Sequence, residues 1–176
     1  MHLMIHYSHY ETLVSFNKRK EIEVINQMTV ALNVKPYALA PDAGTPMTWF
    51  TSKITLKASS PELGVTEVTM SPGEEPPFHV HKNEDEWFFV VQGEMRFHVG
   101  EEVFRGTAGS FVSFPRGIPH TFSIDSESAR FLVVNTPGGF ERMFELAPKT
   151  PEDAARAMEA FGMTVVAPHP RHAAVV

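Results

Sequence analysis

Gly73-Glu74-Glu75-Pro76-Pro77-Phe78-His79-Val80-His81-Lys82-Asn83-Glu84-Asp85-Glu86-Trp87-Phe88-Phe89-Val90-Val91-Gln92-Gly93 is the stretch that decides the fold. In an extended chain, alternate side chains point the same way. His79 and His81 therefore present two imidazoles side by side and can grip one ion. Lys82 and Asn83 supply a short turn. From Glu86 to Val91 the chain is strand-like, and Glu86 shares a face with Phe88 and Val90. A carboxylate on an apolar face needs a partner, and a metal ion is one. Gln92-Gly93 closes the strand with a tight turn. Of the acids beside Glu86, Asp85 is the alternative ligand by spacing, but the position of Gly93 favours Glu86. Glu84 shares the parity of Glu86 and reads either as a group that supports the ligands or as a solvated acid, the second being preferred.

A second stretch follows: Gly109-Ser110-Phe111-Val112-Ser113-Phe114-Pro115-Arg116-Gly117-Ile118-Pro119-His120. His120 heads a strand shared with Phe122 and Ile124 and is the candidate fourth ligand. Between the two stretches, Met95, Phe97 and Val99 alternate with Glu94, Arg96 and His98, which gives one dry and one wet face. His98 falls on the wet face. Further short strands are expected at 65–70, 104–109, 111–114 and 130–135. Another begins at Thr48, with Phe50, Ile54 and Leu56 on one face, after a loop over 36–47. Short strands at regular spacing, with no helix between them, predict a sandwich or small barrel and argue against βαβ units.

After Pro137-Gly138-Gly139 the pattern changes. Phe140 to Leu146 reads as one short helix. Thr150 is a candidate N-cap for a second, with Pro151 at its first position and Asp153 at N3. Ala154, Ala157, Met158 and Phe161 form its apolar stripe, and Gly162 ends it. Beyond Val166, including His169, the chain is expected to be loose. At the other end, residues 1–27 stand apart, with His2, His6 and His9 and a run at 12–16 that could add an edge strand.

Composition narrows the function. A net charge of −6, with Lys18-Arg19-Lys20 as the one basic cluster, gives no broad surface for nucleic acid. The absence of cysteine excludes thiolate ligands and cysteine nucleophiles. No apolar run reaches membrane-span length and no signal-peptide pattern opens the chain, so no membrane partner and a cytoplasmic location are expected.

The two quoted stretches match the two motifs of the cupin superfamily. Gly73, His79, His81, Glu86 and Gly93 meet every term of the first; Gly109, Pro115, Gly117 and His120 meet all but the last term of the second, where Ile124 replaces an asparagine. The chain thus resembles the cupins. The resemblance implies an all-β fold, the cupin double-stranded β-helix or jelly-roll barrel. It would occupy residues 28–139, with a 1–27 extension before it and a 140–176 helical tail packed on it.

Three imidazoles and a carboxylate suit Fe(II), Mn(II), Ni(II), Co(II), Cu(II) or Zn(II), one per chain. The expected pocket is apolar, lined by Phe88, Val90, Met95, Phe97, Phe122, Ile124 and Phe111 or Val112. No inward arginine or lysine is read, which argues against phosphorylated substrates. Glu-Trp-Phe-Phe-Val-Val-Gln-Gly at 86–93 resembles small single-domain cupins compared with quercetin dioxygenases. That resemblance implies a dioxygenase acting on a small aromatic or hydroxy-ketone, flavonol-like substrate, with Glu86 as both ligand and catalytic base. It also implies a homodimer. A non-redox isomerase, hydrolase or lyase, or a small-molecule-binding module, remains open on the same residues.

Overall fold

The structure, a computed structural model, describes residues 35–172. The chain divides into Met1–Ala38 and Leu39–Val176, and every regular element described belongs to the second unit. The expectations for residues 1–27, an added edge strand and the three histidines, lie outside the described residues.

The strands are β1 (Thr45–Trp49), β2 (Ser52–Ser59), β3 (Gly64–Met70), β4 (Phe78–His81), β5 (Asp85–Gln92), β6 (Met95–Val99), β7 (Glu102–Gly106), β8 (Phe111–Phe114), β9 (His120–Ile124), β10 (Ala129–Thr136) and β11 (Met163–Ala167). One antiparallel sheet runs β1-β2-β3-β10-β5-β8 and the other β11-β4-β9-β6-β7. From β3 onward the chain passes repeatedly between the sheets, the winding of a jelly roll. The all-β class read from the sequence holds.

Alternation builds the core. On β5, Glu86, Phe88 and Val90 are buried, while Phe89 faces solvent. On β6, Met95, Phe97 and Val99 are buried and their neighbours are half-buried. Phe88 sits at the centre of the filling. Its ring centroid lies 4.7 Å from Phe114, 5.4 Å from Phe122, 5.5 Å from Phe97 and 5.6 Å from Phe131. Burying each such side chain is worth about 1.5–3 kcal/mol before entropy is counted. β9 is buried at all five positions. Its inward residues His120, Phe122 and Ile124 meet the core, and its outward Thr121 and Ser123 are covered as well. Thr121 Oγ1 donates to the Pro76 carbonyl at 2.7 Å, and Ser123 Oγ lies 3.4 Å from His169 Nε2.

Two glycines of the motifs have a visible reason. Gly93 turns at φ +91°, and a Cβ there would lie 2.5 Å from the Ser128 carbonyl oxygen. Gly117, at φ +78°, donates its N–H to the His81 carbonyl at 2.9 Å and so ties the second stretch to the first.

The structure corrects the sequence reading at both ends of the barrel. The expected 36–47 loop gives way at Thr45 to β1. Phe50 is not a strand residue but sits in the β1–β2 turn at φ 53°, half exposed. Ser52 and Ile54 point inward and Leu56 is half-buried. The tail is more than helical. Phe140–Leu146 is a 3-10 helix, and α1 (Pro151–Ala160) is capped as expected, Thr150 Oγ1 accepting from the Asp153 N–H at 3.1 Å. The chain then adds β11 to the second sheet, pairing Met163 with His81 and Val165 with His79. Nor is His169 loose. It is 4 % exposed, donates from Nε2 to the Phe122 carbonyl at 3.0 Å, and accepts the Arg171 N–H at Nδ1.

Candidate metal centre

Cross-strand register assembles the site. His79 on β4 is the direct partner of His120 on β9. His81 lies two residues on, on the same face. Glu86 enters from the opposite sheet, where its cross-strand partner is Asn135 of β10. The four predicted ligands converge, with one donor atom from each within 4.8 Å of all the others. His81 Nε2 is 3.9 Å and His120 Nε2 is 3.7 Å from Glu86 Oε2.

The rings are held in a defined tautomer. His79 Nδ1 lies 2.8 Å from the Pro77 carbonyl, and His120 Nδ1 lies 2.8 Å from the Ile118 carbonyl. A carbonyl only accepts, so both Nδ1 atoms carry the proton and both Nε2 atoms turn a lone pair inward. Glu86 Oε1 accepts from Asn135 Nδ2 at 3.2 Å, which leaves Oε2 facing the imidazoles. Burial pushes His79 well below the usual imidazole value, and nearby His120 and His81 add to this against the Pro77 carbonyl. His120 is also lowered, chiefly by burial, with Glu86 opposing. These are neutral, ligand-ready rings.

A transition metal fits this donor set. Two donors, each about 2 Å from one ion, lie at most about 4 Å apart; the two nitrogen–Glu86 separations meet that limit, and the whole set, within 4.8 Å, would draw in by less than about 1 Å around an ion. Neither separation is a hydrogen bond. His120 Nε2 is buried and has no hydrogen-bond partner among the described residues, a costly vacancy for a polar atom unless a ligand takes it up.

His79, His81 and Glu86 border a cavity of about 180 Å³. Phe88 and Phe122 line it as expected. Val90, Phe97 and Ile124 do not: each is fully buried in the core away from the cavity wall. Met95 and Val112 do not border it either, and Phe111 is 64 % exposed on the outer face. Parity told which residues face inward but not which inward residues border empty space. The remaining wall comes from distant elements, including Trp49 of the β1 strand and Phe140, Met143 and Phe144 of the tail. Among the lining residues there is no arginine or lysine.

Three polar residues, Glu84, Asn135 and His98, depart from or were absent from the sequence reading. Glu84 is 6 % exposed and not solvated, with Oε2 at 3.6 Å from His81 Nδ1. Asn135 was missed. Its signal was present, since it follows Phe131 and Val133 at a period of two and so is a polar group on an apolar face. His98 is less open than its parity implied, because its Nε2 is buried beneath neighbours. Asp85 faces out to Arg116, whose side-chain donors hold its carboxyl at about 2. That pairing explains why Glu86, not Asp85, turns inward.

Comparison with known proteins agrees with this fold. Residues 66–135 match the family model of the cupin domain. The chain is 30% identical over 115 residues to the oxalate decarboxylase OxdC of Bacillus subtilis, covering 60% of this chain and 29% of that one. It spans about half or less of the length of the curated relatives it matches. Among solved structures, KdgF from Halomonas sp. superposes with a TM-score of 0.54 at 17% identity, over 60% of this chain and 96% of that one. The Streptomyces nucleoside dehydratase Pac13 does so with a TM-score of 0.54 at 12% identity, over 77% and 94%. At such identities the likeness shows the fold. With both motifs in place and the barrel wound as described, residues 66–135 carry a match to the cupin domain, set in a barrel of the cupin fold.

Proposed function

We propose that this protein is a metal-dependent enzyme acting on a small, uncharged aromatic or hydroxy-ketone molecule, with dioxygen as co-substrate. The observation that carries this reading is the wall of the cavity beside the ligands: rich in aromatic side chains and without arginine or lysine. Nε2 of His79, His81 and His120 and Oε2 of Glu86 would hold the ion. A bound divalent transition metal supplies Lewis acidity and, where the metal is redox-active, electron transfer. Phe88, Phe122, Phe131 and Phe140 offer faces and edges to an aromatic ring and keep water out. Glu86, fixed at Oε1 by Asn135, is placed to accept a substrate hydroxyl proton. A dianion such as oxalate would find no guanidinium or ammonium in this wall, so the activity named for the B. subtilis relative is a poor match.

A second reading, a non-redox lyase, isomerase or hydrolase, has its own support. Glu74 and Glu75 border the same cavity and add carboxylates beyond Glu86. Burial opposes ionisation of Glu74, but donors from Thr51, the Ser71 N–H and Ser52 outweigh it and keep its carboxyl below the usual value.

The test is metal content per chain in protein purified without added metal, followed by oxygen uptake with flavonols, catechols and hydroxy-ketones. Metal-dependent uptake, lost in His120→Ala, supports the first reading. Turnover without oxygen consumption moves the assignment to the second. A coloured complex with neither leaves a binding module, and failure to bind any of the six ions refutes a metal-dependent function.

A further inference from the structure

The three imidazoles are not oriented alike. His79 and His120 each give their Nδ1 proton to a backbone carbonyl at 2.8 Å. His81 Nδ1 instead faces the Glu84 carboxylate at 3.6 Å. Both atoms are buried, and neither has a hydrogen-bond partner among the described residues. The Arg116 guanidinium is committed to Asp85 at 2.8 and 3.1 Å. A buried carboxylate oxygen left without a donor is unfavourable in the metal-free protein. Its position makes sense when His81 carries a metal on Nε2, for the ion withdraws charge from the ring and strengthens Nδ1–H as a donor.

We propose that Glu84 is a positioning residue for the metal: it accepts the His81 Nδ1 proton, fixes the ring with Nε2 toward the ion, and places a second buried negative charge beside Glu86. This rests on the metal centre described above. The gap closes to a hydrogen bond with a side-chain shift of less than about 1 Å. Two carboxylates and three neutral imidazoles then balance a divalent ion within the buried site. Glu84 thus opposes stability in the metal-free chain and supports affinity in the loaded one. A residue that merely packs the turn would not show that pair of opposite signs.

The test compares chelator-stripped wild type and Glu84→Gln, a near-isosteric change. Each is titrated with Co(II) and with Zn(II) against a chromophoric chelator, and each metal-free protein is melted. Glu84→Gln is expected to bind both ions roughly 10- to 100-fold more weakly, while its metal-free form melts at or above the wild-type temperature. Binding within about twofold of wild type would overturn the proposal, since carboxylate partners of ligating histidines ordinarily matter more than that. A metal-free variant that melts well below wild type would overturn it too, by making Glu84 a structural residue. Folded wild type that binds neither ion would overturn the metal centre itself, a failure read on the wild type and distinct from the other two.

Discussion

Stripped of metal, the protein should lose stability steeply as pH falls below about 6.5. His79 is 3 % and His120 0 % exposed, and burial holds both below the ordinary imidazole value of 6.5. In the unfolded chain both titrate near that value. Below it, the unfolded state takes up protons that the native state refuses. A lowered native pKa means stability present above about pH 6.5 and lost as pH falls toward the native values. Each such proton changes the unfolding free energy by about 1.4 kcal/mol per pH unit. Two give a limiting slope of about 2.7 kcal/mol per pH unit, a large fraction of the roughly 5–15 kcal/mol a domain possesses. The three carboxyls with lowered values do not blur this window, because Asp85, at about 2, Glu74 and Asp153 all titrate below it. His98 is also lowered, by burial and then by Arg96 and His169, and His98→Gln is the control for its share. The assay is urea unfolding followed by tryptophan fluorescence, in chelator, from about pH 8 to about pH 5.5. The slope should fall by about a third in His79→Gln, and by about half where His98 is already Gln. Stability constant to within about 0.5 kcal/mol between pH 7.5 and 5.5 would refute the reasoning, as would a slope untouched by His79→Gln.

Three further outcomes are expected. Phe88→Ala should destabilise by about 3–5 kcal/mol in urea unfolding, because it removes the ring that touches four other phenylalanines; a loss under about 1 kcal/mol would mean the site collapses around the gap. Metal per chain should fall sharply in Glu86→Gln and stay near the wild-type value in Asp85→Asn, since Asp85 points to Arg116; equal losses would contradict the assignment of Glu86. Gly93→Ala should lower the melting temperature by several degrees, as a Cβ would press on the Ser128 carbonyl in a backbone region that disfavours L side chains; an unchanged melt would show that the turn yields.

The ligand set was legible because it depends on two short-range facts. Alternation along a strand puts His79 with His81 and Glu86 with Phe88, and the motif spacing sets the turns between strands. Asn135 was equally legible and shows the same rule, a polar residue at the inward parity of an apolar strand. For Glu84, parity allowed both a group that supports the ligands and a solvated acid, and the second was preferred, because parity cannot show what covers a turn. His98 and His169 failed for the same reason: the C-terminal segment returns across the outer face of β9, and no local pattern announces that return.

Sequence alone determined most of the barrel strands, their inward faces and the four residues that converge as candidate metal ligands, because side-chain alternation and turn chemistry act over a few residues. Tertiary structure decided which of the inward residues border a cavity and which fill the core. Val90, Phe97 and Ile124 share the inward parity of Phe88 and Phe122 yet do not border the cavity, while Trp49 and Phe140 reach it from elements far off in sequence. The empty volume is set by how two sheets and the returning tail close on one another, and that closure depends on contacts between segments whose sequences carry no sign of each other.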